Sequence, residues 1–91
     1  MNLKTEENIE EISSIINSAL AYNGVQMCEN SKTFLNALRG KLIFLSDGEI
    51  DFYFERVNSN ARVGMYKITL KCTEDTEKYI EEYMEMNNEE V

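Results

Sequence analysis

KLIFLSDGEIDFYFERVNSNARVGMYKITLKC, residues 41–72, reads as three strands joined by two tight turns, and that reading sets the expected fold. Ser46-Asp47-Gly48-Glu49 places Asp-Gly between two apolar runs, and Asp-Gly suits the positive-φ positions of a two-residue type I′ hairpin turn. With Asp47 and Gly48 as the loop, Leu45 faces Ile50, Ile43 faces Phe52 and Lys41 faces Phe54. Asn58-Ser59-Asn60 suits a three-residue connection with Asn60 in the left-handed conformation that Asn tolerates. It pairs Phe54 with Gly64, Phe52 with Tyr66 and Ile50 with Ile68. Both turns put the same strand-two residues on one apolar face, made of Ile43, Leu45, Ile50, Phe52, Phe54, Tyr66, Ile68 and Leu70. The spacing therefore predicts a meander with strands at 41–46, 49–57 and 61–72. The opposite face carries a row Leu42, Tyr53, Met65 and a row Phe44, Asp51, Lys67, in which Asp51 and Lys67 form a cross-strand ion pair.

Helices are expected on both sides of this block. Ile9, Ile12, Ile16, Ala19 and Leu20 recur every three or four residues, the stripe of a helix over 6–22. Thr5 is its expected N-cap, Glu6 and Glu7 lie in its first turn, and Asn23-Gly24 forms a left-handed cap. Its outer face carries Glu10, Ser14 and Asn17. Val25 and Met27 suit a short extended piece. Ser31 can cap a second helix over 31–39, with Phe34, Leu35 and Leu38 as its apolar side and Gly40 closing it. Thr73 caps a third helix over 73–87, in which Thr76, Tyr79, Ile80 and Tyr83 line one side. The expected architecture is a single α+β domain over 1–91, in two layers, with element order α-α-β-β-β-α.

Ninety-one residues suffice for one core, and 43% apolar with 29% charged residues is the balance of a folded domain. No apolar run approaches the roughly 18 residues of a membrane span, and no basic-then-apolar leader opens the chain. A cytoplasmic protein is the expectation. Cys28 and Cys72 are far apart, without C-x-x-C spacing, and the chain has no histidine. Two reduced, at least partly buried thiols are expected, and no zinc site. Without histidine, acid–base work near neutrality falls to carboxylates, yet Asp47, Glu49, Asp51 and Glu55 lie on a turn and on the solvated side of strand two. Lys71 beside Cys72 can lower a thiol pKa, but no base accompanies it. Neither an enzyme nor a cofactor is expected. The loop spacing of an EF-hand is absent, so Glu81, Glu82 and Glu85 could collect a cation only loosely.

A net charge of −8 argues against direct binding to nucleic acid or an anionic membrane. Its placement is more informative. From residue 74 onward eight acids face the single base Lys78, so −7 of the −8 lies in the C-terminal segment. Glu85, Glu89 and Glu90 crowd a helix C-terminus, where the dipole disfavours anions, and they repel Glu81 and Glu82. A basic partner would relieve both penalties and be steered in by the field. The expected partner-binding residues are Glu74, Asp75, Glu77, Glu81, Glu82, Glu85 and Glu89. Neutralisation by Arg39, Arg56 or Arg62 of the same chain would remove the need for a partner. Leu42, Tyr53 and Met65, if uncovered, would make a second surface suited to protein binding or homodimerisation, with monomer and dimer both open.

In layout and charge the chain resembles the small acidic inhibitors that bacteriophages encode against CRISPR nucleases. These are likewise under a hundred residues, with a three-stranded antiparallel sheet covered by helices, strongly negative, and rich in Asn, Glu and Ile. The resemblance implies a non-catalytic protein, cytoplasmic in a bacterial host, that blocks a basic nucleic-acid-binding nuclease or its complex as a nucleic-acid mimic. It would assign the work to Glu81, Glu82, Glu85 and their neighbours. Two other readings fit the same residues: an immunity protein or antitoxin that neutralises a basic toxin, and a homodimeric structural or regulatory module.

Overall fold

Helices packed on a three-stranded antiparallel sheet make up the α+β fold that the residue pattern predicts. The computed structural model describes residues 1–58 and 64–89, with side chains through Met86. In chain order the elements are α1 (Leu3–Glu7), α2 (Ile9–Leu20), β1 (Gln26–Met27), α3 (Glu29–Leu45), β2 (Asp51–Arg56), β3 (Gly64–Lys71) and α4 (Glu74–Glu89). The sheet order is β1-β3-β2, with both pairings antiparallel. Ile16, Ala19 and Leu20 of α2 lie against Phe52, Ile68 and Leu70 of the sheet. The same core takes in Ile12, Leu35, Leu42, Ile50 and Ile80 among others.

The first expected strand is the main correction. Residues 41–45 are the last turns of α3, and the third strand of the sheet is instead Gln26–Met27, paired with Met65 and Gly64. The Asp-Gly signal was real, but it serves a different purpose. Asp47 and Gly48 both have positive φ, at 52° and 80°. The Gly48 amide donates to Ile43 O at 2.8 Å and the Asp47 amide to Phe44 O at 3.2 Å. These two bonds form a Schellman motif that closes α3. A type I′ hairpin and a left-handed helix stop ask for the same residue types, so Asp-Gly alone does not choose between them. The choice falls to the longer pattern. Leu35, Leu38, Leu42 and Leu45 make a stripe at helical spacing that runs straight through Gly40, and it buries Leu35 and Leu42 completely.

Gly40 is therefore a helix-interior residue and not a cap. A Cβ added there meets nothing within 4 Å. Gly40→Ala is expected to stabilise the protein by about 0.5–1 kcal/mol, read as a higher urea midpoint. A Gly40 that ended a helix in a left-handed turn would give the opposite sign.

The β2–β3 hairpin forms with a register different from the expected one. Phe52 faces Leu70, Phe54 faces Ile68 and Arg56 faces Tyr66, a shift of four residues along β3. An even shift leaves every side chain on its own face, and so Phe52, Tyr66 and Ile68 are buried as expected. It does break the expected Asp51–Lys67 pair. Asp51 faces Lys71 and Glu55 faces Lys67. The connection is longer than three residues, and the turn expected at Asn58-Ser59-Asn60 falls largely outside the described residues. Within them, the Asn58 side chain accepts from the Met65 amide at 3.0 Å.

The N-terminal helix is divided at Asn8, with Asn2 as the cap of α1, accepting from the Lys4 amide at 2.9 Å. Thr5, expected as a cap, is buried and its hydroxyl reaches the turn after α3. Gly24 takes the expected positive φ, at 73°. Asn23 beside it accepts from the Ile68 amide at 2.8 Å, continuing the β1 edge along β3. Cys28, not Ser31, precedes the first turn of α3.

Candidate acidic interface

α4 begins as its sequence predicts. The Thr73 hydroxyl accepts from the Thr76 amide at 3.3 Å, and Glu74, Asp75 and Glu77 occupy the first turn, where the dipole favours anions. Thr76 and Ile80 are buried and Tyr79, Tyr83 and Met84 half-buried, so this stripe faces the body. Glu74, Asp75, Glu77, Glu81, Glu82 and Glu85 are all exposed. Glu89 ends the helix, and its side chain lies outside the described residues. No basic residue stands in the last turn to offset the dipole.

A residue that sequence reasoning placed on a solvated face anchors the start of α4. Glu49 accepts from the Thr76 hydroxyl at 2.6 Å, the Asn2 amide at 2.8 Å and the Thr5 hydroxyl at 2.9 Å. Burial opposes its ionisation. The bonds from Thr76, Asn2 and Thr5, with the nearby N-terminal ammonium, outweigh that and hold its pKa below the usual glutamate range. Its donors lie 27 to 47 residues away, so no local pattern marks it. Asp51, also expected to be solvated, takes both Nε and Nη2 of Arg39, at 2.7 and 2.9 Å. Those bonds lower its pKa against the opposing effect of burial.

Three bases of the body pair with acids of the body. Arg39 holds Asp51, Lys41 meets Glu11 at 2.7 Å, and Lys32 meets Glu29 at 3.5 Å and lies over the Tyr66 ring. Lys4 lies 4.2 Å over Phe44, and Arg56 donates to Asn58. Arg62 lies outside the described residues. Among the described residues no ion pair reaches a carboxylate of α4, and Lys78 makes none with Glu74 or Glu82, one turn away on either side.

The acidic surface does not stop at α4. Between α2 and α4, Glu10, Ser13, Ser14, Asn17, Ser18, Tyr83 and Met84 line a groove of about 450 Å³. A second hollow, sharing Glu10 and Ser14, adds Glu7, Asn8 and Glu11. Neither is lined by a basic side chain, although Glu11 of the second hollow is paired with Lys41. Ser13 is only 5% exposed, and its Oγ is buried with no hydrogen-bond partner. An unpaired buried hydroxyl costs on the order of 1–3 kcal/mol. The outer-face positions Glu10, Ser14 and Asn17 were legible from the period of α2. Their meeting with Tyr83 and Met84 was not.

The second expected surface is not formed. Leu42 is fully buried on α3, because it belongs to that helix's apolar stripe. Tyr53 faces Thr69, and Met65 faces Gln26 on the other side of β3. The exposed face of the β2–β3 hairpin instead alternates Asp51–Lys71, Tyr53–Thr69 and Glu55–Lys67 pairs.

Both cysteines are free. Cys28 is exposed, contrary to the expectation of burial, and the Ser31 hydroxyl beside it lowers its pKa. Cys72 is half-buried. Burial raises its pKa, and Glu77, Glu49 and Glu81 add to the effect, so Lys71 does not activate this thiol. Among the described residues no cluster of Cys, Asp and Glu is arranged to hold a metal ion. Nor is any described helix long and apolar enough to cross a membrane. Compared with protein-family models, with curated proteins and with solved structures, the chain matches none.

Proposed function

We propose that this protein is a non-catalytic binding protein that blocks a basic, nucleic-acid-binding protein with the acidic face of α4, as a nucleic-acid mimic of the kind used by phage inhibitors of CRISPR nucleases. The observation that carries the reading is the row of exposed carboxylates on α4, none of which makes an ion pair among the described residues. Those acids include Glu81, Glu82 and Glu85, where Glu85 stands one turn from each of the other two, and such like-charge pairs cost a few tenths of a kcal/mol each, roughly. A cationic surface removes that cost on binding. The reading assigns the action to the cytoplasm of a bacterial host cell. An immunity protein or antitoxin facing a basic toxin would use the same face, and the identity of the retained partner separates the two.

The test compares immobilised wild-type protein with a variant carrying Glu81→Gln, Glu82→Gln and Glu85→Gln together. A nucleic-acid-binding protein retained at low salt is expected to elute with a steep salt dependence and to be displaced by added nucleic acid. The triple variant should lose it, with a melting temperature equal to or above that of wild type. Equal retention by both proteins, or retention indifferent to salt, overturns the proposal.

A further inference from the structure

We infer that α4 is a detachable arm latched to the rest of the fold by Glu49, and that protonation of this carboxylate opens the latch while α2, α3 and the sheet stay folded. The attachment of α4 is narrow. Among the described residues, the bond from the Thr76 hydroxyl to Glu49 Oε1 is the only hydrogen bond between α4 and the chain before Thr73, and no ion pair accompanies it. Of the thirteen buried apolar residues that form the core, Ile80 alone belongs to α4, with Tyr79, Tyr83 and Met84 half-buried against them. The others lie between Ile9 and Ile68, so most of the apolar burial that stabilises the body survives when the helix leaves. The latch does not depend on what the acidic face binds.

Glu49 divides its two oxygens between two parts of the chain. Oε1 accepts from Thr76 of α4, and Oε2 accepts from the Asn2 amide and the Thr5 hydroxyl at the N-terminus. All three partners donate, so a proton on either oxygen meets a donor already in place, and the bonds that remain lose their charge assistance. The Thr76 hydroxyl itself accepts from Thr73 Oγ1 at 3.0 Å, which leaves its own proton to Glu49. Other charges surround the latch. The N-terminal ammonium favours the ionised form, Asp51 and Lys71 line the hollow on which Glu49 opens, and Asp47 lies two residues before it. From α4, Glu77 and Glu81 act on the Cys72 thiol that lines the same hollow. Burial raises the pKa of Glu49, but the bonds from Thr76, Asn2 and Thr5, with the ammonium, outweigh it and leave it lowered. The latch is therefore closed above the ordinary glutamate range and opens as pH falls through the lower, folded-state value.

The test is native-state hydrogen exchange of the full chain, followed by NMR at about pH 6 and about pH 3 and corrected for the intrinsic rate at each pH. Between the two, protection of the amides at 79–83 in α4 is expected to fall about 10–100-fold relative to those of α2 and β3. Thr76→Val removes the donor on α4 and keeps the two bonds at the N-terminus. It should show the lowered protection of α4 already at about pH 6, with little further change in acid. Glu49→Gln is expected to behave likewise in α4. A full pH response of α4 in both variants would trace the effect to the acids of α4 itself, and that result overturns the latch. Loss of protection in α4 and β3 together overturns it too, because the helix would then be an integral part of the body, and so does protection of α4 that is indifferent to pH.

Discussion

Glu49→Ala is expected to destabilise the protein by about 2–4 kcal/mol at pH 7, a large part of the total for a domain of this size. The substitution removes the acceptor that ties two separated pieces of chain to the segment before β2: the N-terminal turn, through Asn2 and Thr5 of α1, and the start of α4, through Thr76. Thr5 and Thr76 are both buried, so their hydroxyls cannot all turn to water. Three charge-assisted bonds would sum to more, but Glu49 is partly exposed and water replaces part of what is lost. The effect should be largest at the junction, with hydrogen exchange in the first turn of α4 accelerating more than in β3.

The same site has a pH signature. The pKa of Glu49 is lowered in the folded protein, so the folded state binds fewer protons there than the unfolded chain does. Its contribution is fully present above the ordinary glutamate pKa and is lost as pH falls through the lower, folded-state value. Urea titrations of wild type and Glu49→Gln should therefore differ most at neutral pH and converge in acid. A gap that stays constant down through the carboxylate range would show that the hydrogen bonds, not the charge, account for the whole effect. Asp51 titrates with the same sign through Arg39, which is why the Gln comparison is needed to isolate Glu49.

Leu42→Ala is expected to cost about 2–5 kcal/mol, whereas Phe44→Ala should change stability by about 0.5 kcal/mol or less. The contrast tests the central correction to the fold. On a strand, residues 42 and 44 point to the same side and would be felt alike. On a helix they are 200° apart by simple geometry, roughly. Leu42 is fully buried and Phe44 is 70% exposed, touching only the Lys4 ammonium among the contacts described above. Similar midpoint shifts for the two variants, measured in the same urea titration, would restore the strand.

Period and turn chemistry carried the reading a long way. The stripe of α2, the left-handed Gly24, the Thr73 cap of α4 and the alternation that buries Phe52, Tyr66 and Ile68 all follow from residue types a few positions apart. The register of β2 against β3 differs by four residues from the pairing that the turns suggest, because an even slip keeps the same faces inside and local pattern does not distinguish the two. Residues 41–45 are ambiguous in sequence for a related reason. Leu42, Ile43, Phe44 and Leu45 are consecutive apolar residues, and such a run fits either period until something outside it decides.

By itself the sequence determined the class of fold, the number of helical stripes and the concentration of charge on the last helix, since each depends on spacing within one element. Tertiary structure decided what Asp47 and Gly48 terminate, which strand completes the sheet, and where Glu49 and Ser13 find or lack partners. Those outcomes rest on contacts between residues far apart in the chain, and the free energy of such a contact exists only once the elements have been brought together.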